Sequence, residues 1–185
     1  MSASFGRVNQ INLRSLNMSG ILPSSIGHLQ SMSRMVLYSS SIGGTIPITI
    51  SALTSLVAID FFRNSLTGPI PGKISGLTSL NYLRLSNNSL VGTIPSSLSV
   101  LTLLGGVDLY YNCLGSTIPT TISALQLLGF VNPFIDTISR TINVLLSLNS
   151  IYLSFNSFTG TLPNGISALK LQSYFFCPEI LSLEQ

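Results

Sequence analysis

Aromatic and charged side chains recur in this chain at a fixed interval, and rings and charges of this kind bind ligands by stacking and ion pairing. One series steps by 24 residues through its first six members and reads Arg14, Tyr38, Phe62, Ser86, Tyr110, Phe134 and Ser154. Four of its seven members are aromatic. If the interval brings them into one line, they form a contact surface for a partner.

The titratable residues of this sequence give little support for a catalytic site. His28 is the only histidine, and no cysteine or carboxylate stands at a metal-ligand spacing from it. Asp60 and Asp108 are two repeats apart in one column, hence about 10 Å from each other, which is too far for a carboxylate pair without further groups. There is also no glycine-rich phosphate loop and no nucleophile elbow. We therefore expect no enzymatic activity, no cofactor and no metal.

The same interval organises the apolar residues. Five prolines keep the 24-residue step, at Pro23, Pro47, Pro71, Pro95 and Pro119. The most regular copy of the pattern reads Leu80, Leu83, Leu85, Asn88, Leu90, Gly92, Ile94 and Pro95. A fixed period of this length predicts a stack of similar supersecondary units.

This pattern resembles the plant-type subclass of the leucine-rich repeat family, whose repeat reads L-x-x-L-x-L-x-x-N-x-L-x-G-x-I-P. Copies open at Val8, Met32, Leu56, Leu80, Leu104, Leu128 and Leu148. The resemblance implies an α/β solenoid: a right-handed superhelix of about seven 24-residue repeats, with a parallel concave β-sheet and a 3₁₀ or irregular convex side. We predict a short leader without a cap at 1–7, the solenoid at 8–172 with an irregular repeat at 128–147, and an apolar tail as a partial cap at 173–185.

Each repeat should contribute one short strand. Alternating residues such as Leu83 and Leu85 point inward, and strands are expected over 10–14, 34–38, 58–62, 82–86, 106–110, 130–134 and 150–154. Stacking about 4.8 Å apart joins their apolar faces into one core. Buried amides should satisfy backbone groups of neighbouring coils. These amides belong to Asn64, Asn88, Asn112 and Asn156, whereas Leu16 and Ser40 hold that position in the first two repeats.

The candidate ligand-binding residues project from the concave face between the core positions. They are Arg34, Tyr38, Asp60, Phe62, Arg63, Tyr82, Arg84, Asp108, Tyr110, Tyr111, Phe130, Phe134 and Tyr152. Asp60 and Arg84 share a column in adjacent repeats and can pair with each other. Peptide-hormone receptors that resemble this face often carry an Arg-x-Arg pair for a peptide carboxylate, which this chain lacks. The alternative is that the rings only stack on one another within the sheet.

Composition limits the classes of partner. Only 7% of residues are charged and the net charge is +3 without a basic run, which argues against nucleic acid. Hydrophobic residues make up 45% of the chain, yet proline, glycine and hydroxyl residues interrupt every long apolar stretch, so no membrane span is predicted. We expect a protein, peptide or glycan ligand.

The resemblance implies an extracellular, secreted or cell-surface location. Glycosylation sequons begin at Asn17 and Asn87, while Met1–Gly6 lacks the apolar stretch of a secretory signal. Extracellular relatives usually carry paired-cysteine caps; this chain has only Cys113 and Cys177, which we expect to be unpaired.

Two alternative functions use other surfaces. Uncapped ends would let the chain stack end to end into a filament, with Val8, Ile11 and Leu13 at one end. On the return side, a column of hydroxyls interrupted by Pro69 would suit an ice surface: Thr45, Thr93, Thr117 and Thr141.

Overall fold

A seven-stranded parallel sheet forms one face of the protein in a computed structural model that describes residues 7–16, 18–114, 121, 130–132 and 150–151. Its strands, in spatial order, are β1 (Gln10–Asn12), β3 (Arg34–Val36), β5 (Ala58–Asp60), β7 (Tyr82–Arg84), β9 (Gly106–Asp108), β11 (Phe130–Asn132) and β12 (Ser150–Ile151). Every strand begins where the sequence predicts it. Hydrogen bonds between coils continue past the strand ends, for example from Ser15 N to Tyr38 O at 2.9 Å.

The register of this sheet confirms the predicted columns. Arg34 lies opposite Ala58, which lies opposite Tyr82, so neighbouring coils are offset by one 24-residue repeat. The offset shortens between β11 and β12, where Phe130 pairs with Ser150. That shorter step agrees with the early opening of the last predicted copy.

A second parallel sheet, which the sequence did not predict, lies on the return side. Its strands are β2 (Ser19–Ile21), β4 (Ser41–Thr45), β6 (Ser65–Gly68), β8 (Ser89–Gly92) and β10 (Cys113–Leu114). Neighbouring coils are offset by 22 residues here, so Thr45 pairs with Thr67 rather than with Pro69. The predicted threonine column is therefore wrong, because each coil is staggered by two residues relative to the concave sheet.

Short 3₁₀ helices form the convex side, as expected, and each follows a proline of the repeat. They are η1 (Ser24–His28), η2 (Ile48–Ala52), η3 (Gly72–Gly76) and η4 (Ser96–Val100). Pro23, before η1, has φ −74° and accepts a hydrogen bond from Ile26 N at 3.0 Å. Proline suits this place because its ring fixes φ near −65° and it has no N–H to leave unpaired.

The core runs between the two sheets and the 3₁₀ helices. Leu83 and Leu85 have no exposed surface, and neither do Leu80 and Leu90 of the same repeat. Burial of this kind contributes about 1.5 to 3 kcal/mol for each side chain. Stacked repeats thus share one continuous core, as the alternation predicts.

A ladder of half-buried amides joins the coils where the strands end, and the predicted residues Asn64, Asn88 and Asn112 form it. Asn88 Oδ1 accepts from Leu66 N at 3.0 Å, and Asn88 Nδ2 donates to Phe61 O and Leu85 O, both at 2.9 Å. One side chain therefore satisfies backbone groups of its own coil and of the preceding one.

The ladder has a gap in the second coil. Ser40 stands there, and its Oγ is buried without a hydrogen-bond partner. The predicted ladder residue Asn156, residues 133–147 of the irregular repeat and the tail at 173–185 lie outside the described residues. Handedness, the number of repeats and the domain boundaries remain predictions.

Candidate functional site

An alternating row of charges occupies the centre of the concave face. Asp60, Arg84 and Asp108 lie in register on β5, β7 and β9. Arg84 Nε is 3.1 Å from Asp108 Oδ2, and Arg84 NH1 is 3.7 Å from Asp60 Oδ2. The predicted pairing of Asp60 with Arg84 is confirmed, but Asp108 is the closer partner. The Arg84 guanidinium therefore bridges the carboxylates of the two coils that flank its own.

Further hydrogen bonds hold both carboxylates in place. Asp60 Oδ1 accepts from Phe62 N at 3.1 Å, and Asp108 Oδ1 accepts from Tyr110 N at 3.2 Å. Asp108 Oδ2 also accepts from Ser86 Oγ at 2.8 Å. Each aspartate thus closes the turn after its own strand while it binds Arg84, so contacts within the protein orient both carboxylates.

An aromatic platform lies beside this row. The rings of Tyr38 and Phe62 stack with centroids 5.5 Å apart and an interplanar angle of 23°. The guanidinium carbon of Arg84 lies 4.0 Å from the Phe62 centroid, which is a cation–π contact. The rings do stack on each other, as the structural alternative predicts, yet Tyr38 and Phe62 keep part of their surface open to solvent.

Three tyrosines extend the surface towards the later coils. Burial raises the pKa of the Tyr82 hydroxyl, an effect that the nearby Arg84 opposes. Burial also raises the pKa of Tyr110, with smaller contributions from Tyr111 and Asp108. Because both shifts are upward, these phenols stay protonated at neutral pH. Tyr110 and Tyr111 make an edge contact, with centroids 5.3 Å apart at 67°.

A ridge of left-handed residues borders the concave face, and sequence reasoning missed it as a group. Its members are Ser15, Ser39, Arg63, Asn87 and Tyr111, with φ between 52° and 55°. This conformation costs an ordinary L-residue about 1 to 2 kcal/mol, although asparagine tolerates it. Their position directly before each ladder residue is the signal that could have found them.

Among the remaining candidates, the structure describes the side chains of Arg34 and Asn87. Arg34 is exposed at the start of β3, and Asn87 is half-buried on the ridge. Only the backbone of Phe130 is described, within β11. Phe134, Tyr152 and the sequon residue Asn17 lie outside the described residues.

A depression lies on the convex side. It encloses about 410 Å³ between η1, η2 and η3. Its lining includes the exposed His28 together with Thr49 and Lys73, but no carboxylate that could form a catalytic pair. In the described part of the chain, no cluster of at least three metal-ligating side chains occurs. Nor does any helix there have the length and apolar character needed to cross a membrane.

Comparison with known proteins identifies the repeat and the fold. The family model for Leucine Rich Repeat matches residues 79–101 and 147–169. A plant peptide hormone receptor, RGFR1 in complex with RGF2, is 26% identical with a TM-score of 0.79 over 84% of this chain and 26% of its own. No curated protein matched the sequence.

Two Arabidopsis thaliana structures are also similar. The ectodomain of the membrane receptor kinase GASSHO1/SCHENGEN3, in complex with CASPARIAN STRIP INTEGRITY FACTOR 2, is 26% identical, with a TM-score of 0.76 over 81% of this chain and 18% of its own. A chain of the BIR3–SERK2 complex is 36% identical, with a TM-score of 0.62 over 66% of this chain and 65% of its own. The chain thus spans about a quarter or less of the first two relatives.

Proposed function

Because this chain belongs to the leucine-rich repeat family, with repeats of the plant type, we propose that it is a non-catalytic recognition scaffold that binds a peptide or a protein on its concave face. The observation that carries the proposal is the Tyr38–Phe62 platform beside the locked Asp60–Arg84–Asp108 row. The fold is one found in ectodomains, and two similar structures hold partners that their names identify. An extracellular or cell-surface location belongs to the same proposal.

Preorganisation is what this surface offers a ligand. Rings and charges that are already fixed lose little side-chain freedom on binding, so more of the contact free energy appears as affinity. The described part of the concave face includes five adjacent strands, β1, β3, β5, β7 and β9. They span about 19 Å at 4.8 Å per step. An extended peptide of about six residues has this length. The face therefore suits an extended segment that lies across the strands, and a linear glycan of similar length is the alternative ligand.

Selection from a library of random linear peptides tests the proposal on the full chain. Enriched peptides are measured again on a Tyr38→Ala/Phe62→Ala variant and on a control variant, Ile48→Ala/Val91→Ala, which alters exposed apolar residues away from the concave face. Loss of the platform should weaken binding by about tenfold or more, which is 1.4 kcal/mol or above. The control should bind as the unaltered chain does.

Two results would contradict the proposal. One is the absence of any enriched peptide on the unaltered chain. The other is a set of binders whose affinity falls equally in the platform and control variants, because such binders would use another surface.

A second candidate function is self-association through the first coil. β1 is the outermost strand of the concave sheet, and its outer edge is unpaired in the described residues. Large apolar residues are exposed at this end: Val8 at 55%, Leu16 at 59%, Met18 at 40% and Ile21 at 70%. An edge of this kind pairs readily with another chain. Contact between unlike ends would propagate into a filament.

Light scattering over a wide concentration range tests this second candidate. Association that grows with concentration and disappears in Ile21→Lys supports it, because that side chain is exposed and its charge should not disturb the core. A monomer at every concentration, or association that Ile21→Lys leaves unchanged, refutes stacking through this end.

A further inference from the structure

Arg84 is the most central cation of the concave face, yet it is poorly placed to receive an anionic ligand. Its guanidinium already contacts Asp60, Asp108 and the ring of Phe62. Two carboxylates accompany this single guanidinium, so the row has an excess negative charge. An incoming carboxylate would have to displace Asp108 at 3.1 Å and would be repelled by both aspartates.

Arg63 has the opposite character. Its side chain is exposed on the ridge, and within the described ranges it takes part in no ion pair or side-chain hydrogen bond. Its backbone has φ 55°, the left-handed conformation that favours glycine or asparagine. Ser15, Ser39, Asn87 and Tyr111 share this conformation, so the fold imposes it in each described coil. Arg63 differs from these four residues in its charge.

The ridge also presents Arg63 in a defined place. Arg63 N donates to Ser86 O of the next coil at 3.0 Å, and the following residue, Asn64, belongs to the amide ladder. The preceding residue, Phe62, is half of the aromatic platform. An exposed cation thus lies next to a platform residue in the chain, and neighbouring hydrogen bonds hold its backbone in place.

We propose that Arg63 recognises an anionic group, such as a carboxylate, on a ligand whose adjacent aromatic or apolar group rests on Tyr38 and Phe62. This inference rests on the proposed function and adds the ligand's chemistry to it. The ligand class is an acidic peptide segment with a ring or apolar side chain beside the acid. Arg84 then acts as a positioning residue that fixes the Phe62 ring.

A matched pair of small probes tests the assignment on the full chain. 3-Phenylpropanoate carries a ring and a carboxylate, whereas 3-phenylpropanamide has nearly the same shape without the charge. Titrations followed by NMR report the binding of each probe to the unaltered chain, to Arg63→Asn and to Lys73→Asn. The control Lys73 is an exposed cation on η3, so its substitution removes the same charge from the convex side.

We expect the unaltered chain and Lys73→Asn to prefer the carboxylate probe by about fivefold. Arg63→Asn should bind both probes equally and should also unfold about 2 to 4 °C higher, because asparagine tolerates the left-handed backbone. That combination separates a recognition residue from a structural one.

Each other outcome overturns the inference. If the amide still binds but the carboxylate preference survives in Arg63→Asn, or falls equally in Lys73→Asn, Arg63 does not recognise the anion and concave-face binding stands. If neither probe shifts resonances of the concave face, the inference fails together with the proposed binding surface.

Discussion

The gap at Ser40 yields a prediction that can be worked through from the structure. In the third coil, Asn64 Oδ1 accepts from Ile42 N, 22 residues earlier, and Asn64 Nδ2 donates to carbonyls 27 and 3 residues earlier. The same offsets from position 40 lead to the N–H of Met18 and to the carbonyls of Leu13 and Leu37. Ser40→Asn should therefore extend the ladder by one coil.

The expected gain follows from the groups that become paired. The substitution adds two or three hydrogen bonds, each contributing about 1 kcal/mol net, and it removes a buried hydroxyl that lacks a partner. Ordering the longer side chain costs about 1 kcal/mol. The free energy of unfolding should rise by about 1 to 2 kcal/mol. For a chain of this length, the melting midpoint should increase by about 3 to 6 °C.

Urea unfolding and thermal melts, followed by circular dichroism and tyrosine fluorescence, measure both quantities. Ser41→Asn is the matched control, since it makes the same change one residue later at an exposed position and should alter stability by less than about 0.5 kcal/mol. The reverse change, Asn64→Ser, should destabilise the protein.

The reasoning would be refuted by a Ser40→Asn variant no more stable than Ser41→Asn. That result would mean that the second coil satisfies its backbone groups without an amide. The ladder would then be a consequence of the coil geometry rather than a cause of its stability.

Two further predictions concern close packing and modification. Gly76→Ala should destabilise the protein by about 1 to 3 kcal/mol, because its Cβ would lie 2.5 Å from Ser51 O, whereas a Cβ at Gly72 meets nothing within 4 Å. Equal melting midpoints for the two alanine variants would contradict this. In a secretory host, Asn87 should carry a glycan that Ser89→Ala removes without changing the asparagine. Intact mass measures this, and a mass without hexosamine in the unaltered chain would exclude it.

The sequence predicts the concave sheet well because two independent signals agree there. Alternating side chains such as Leu83 and Leu85 point inward, and the 24-residue period aligns each strand with the next. The second sheet escaped prediction because its strands contain glycines such as Gly43 and Gly68, and glycine has low β-propensity. Its 22-residue register cannot be read from a repeat of 24.

In the candidate site too, the repeat period predicts which residues align, whereas the structure is needed to show which of them pair. Column spacing places Asp60, Arg84 and Asp108 in line, but Arg84 has two equivalent neighbours in that column. Only the coordinates show that it approaches Asp108 more closely. The left-handed backbone of Arg63 is likewise invisible in its residue type, since arginine gives no signal for positive φ.

The most informative residues of a repeat protein are those that neither the core nor the turn requires. The buried leucines and the ladder asparagines are fixed by stacking, so they carry no information about a ligand. Arg63 occupies a position where asparagine would cost the backbone less, as Asn87 does in the next coil. The fold tolerates this cost because neighbouring repeats supply the stability locally. Serine and tyrosine also occupy this column, but Arg63 is its one charged residue among the described coils, and it directly follows a ring of the aromatic platform.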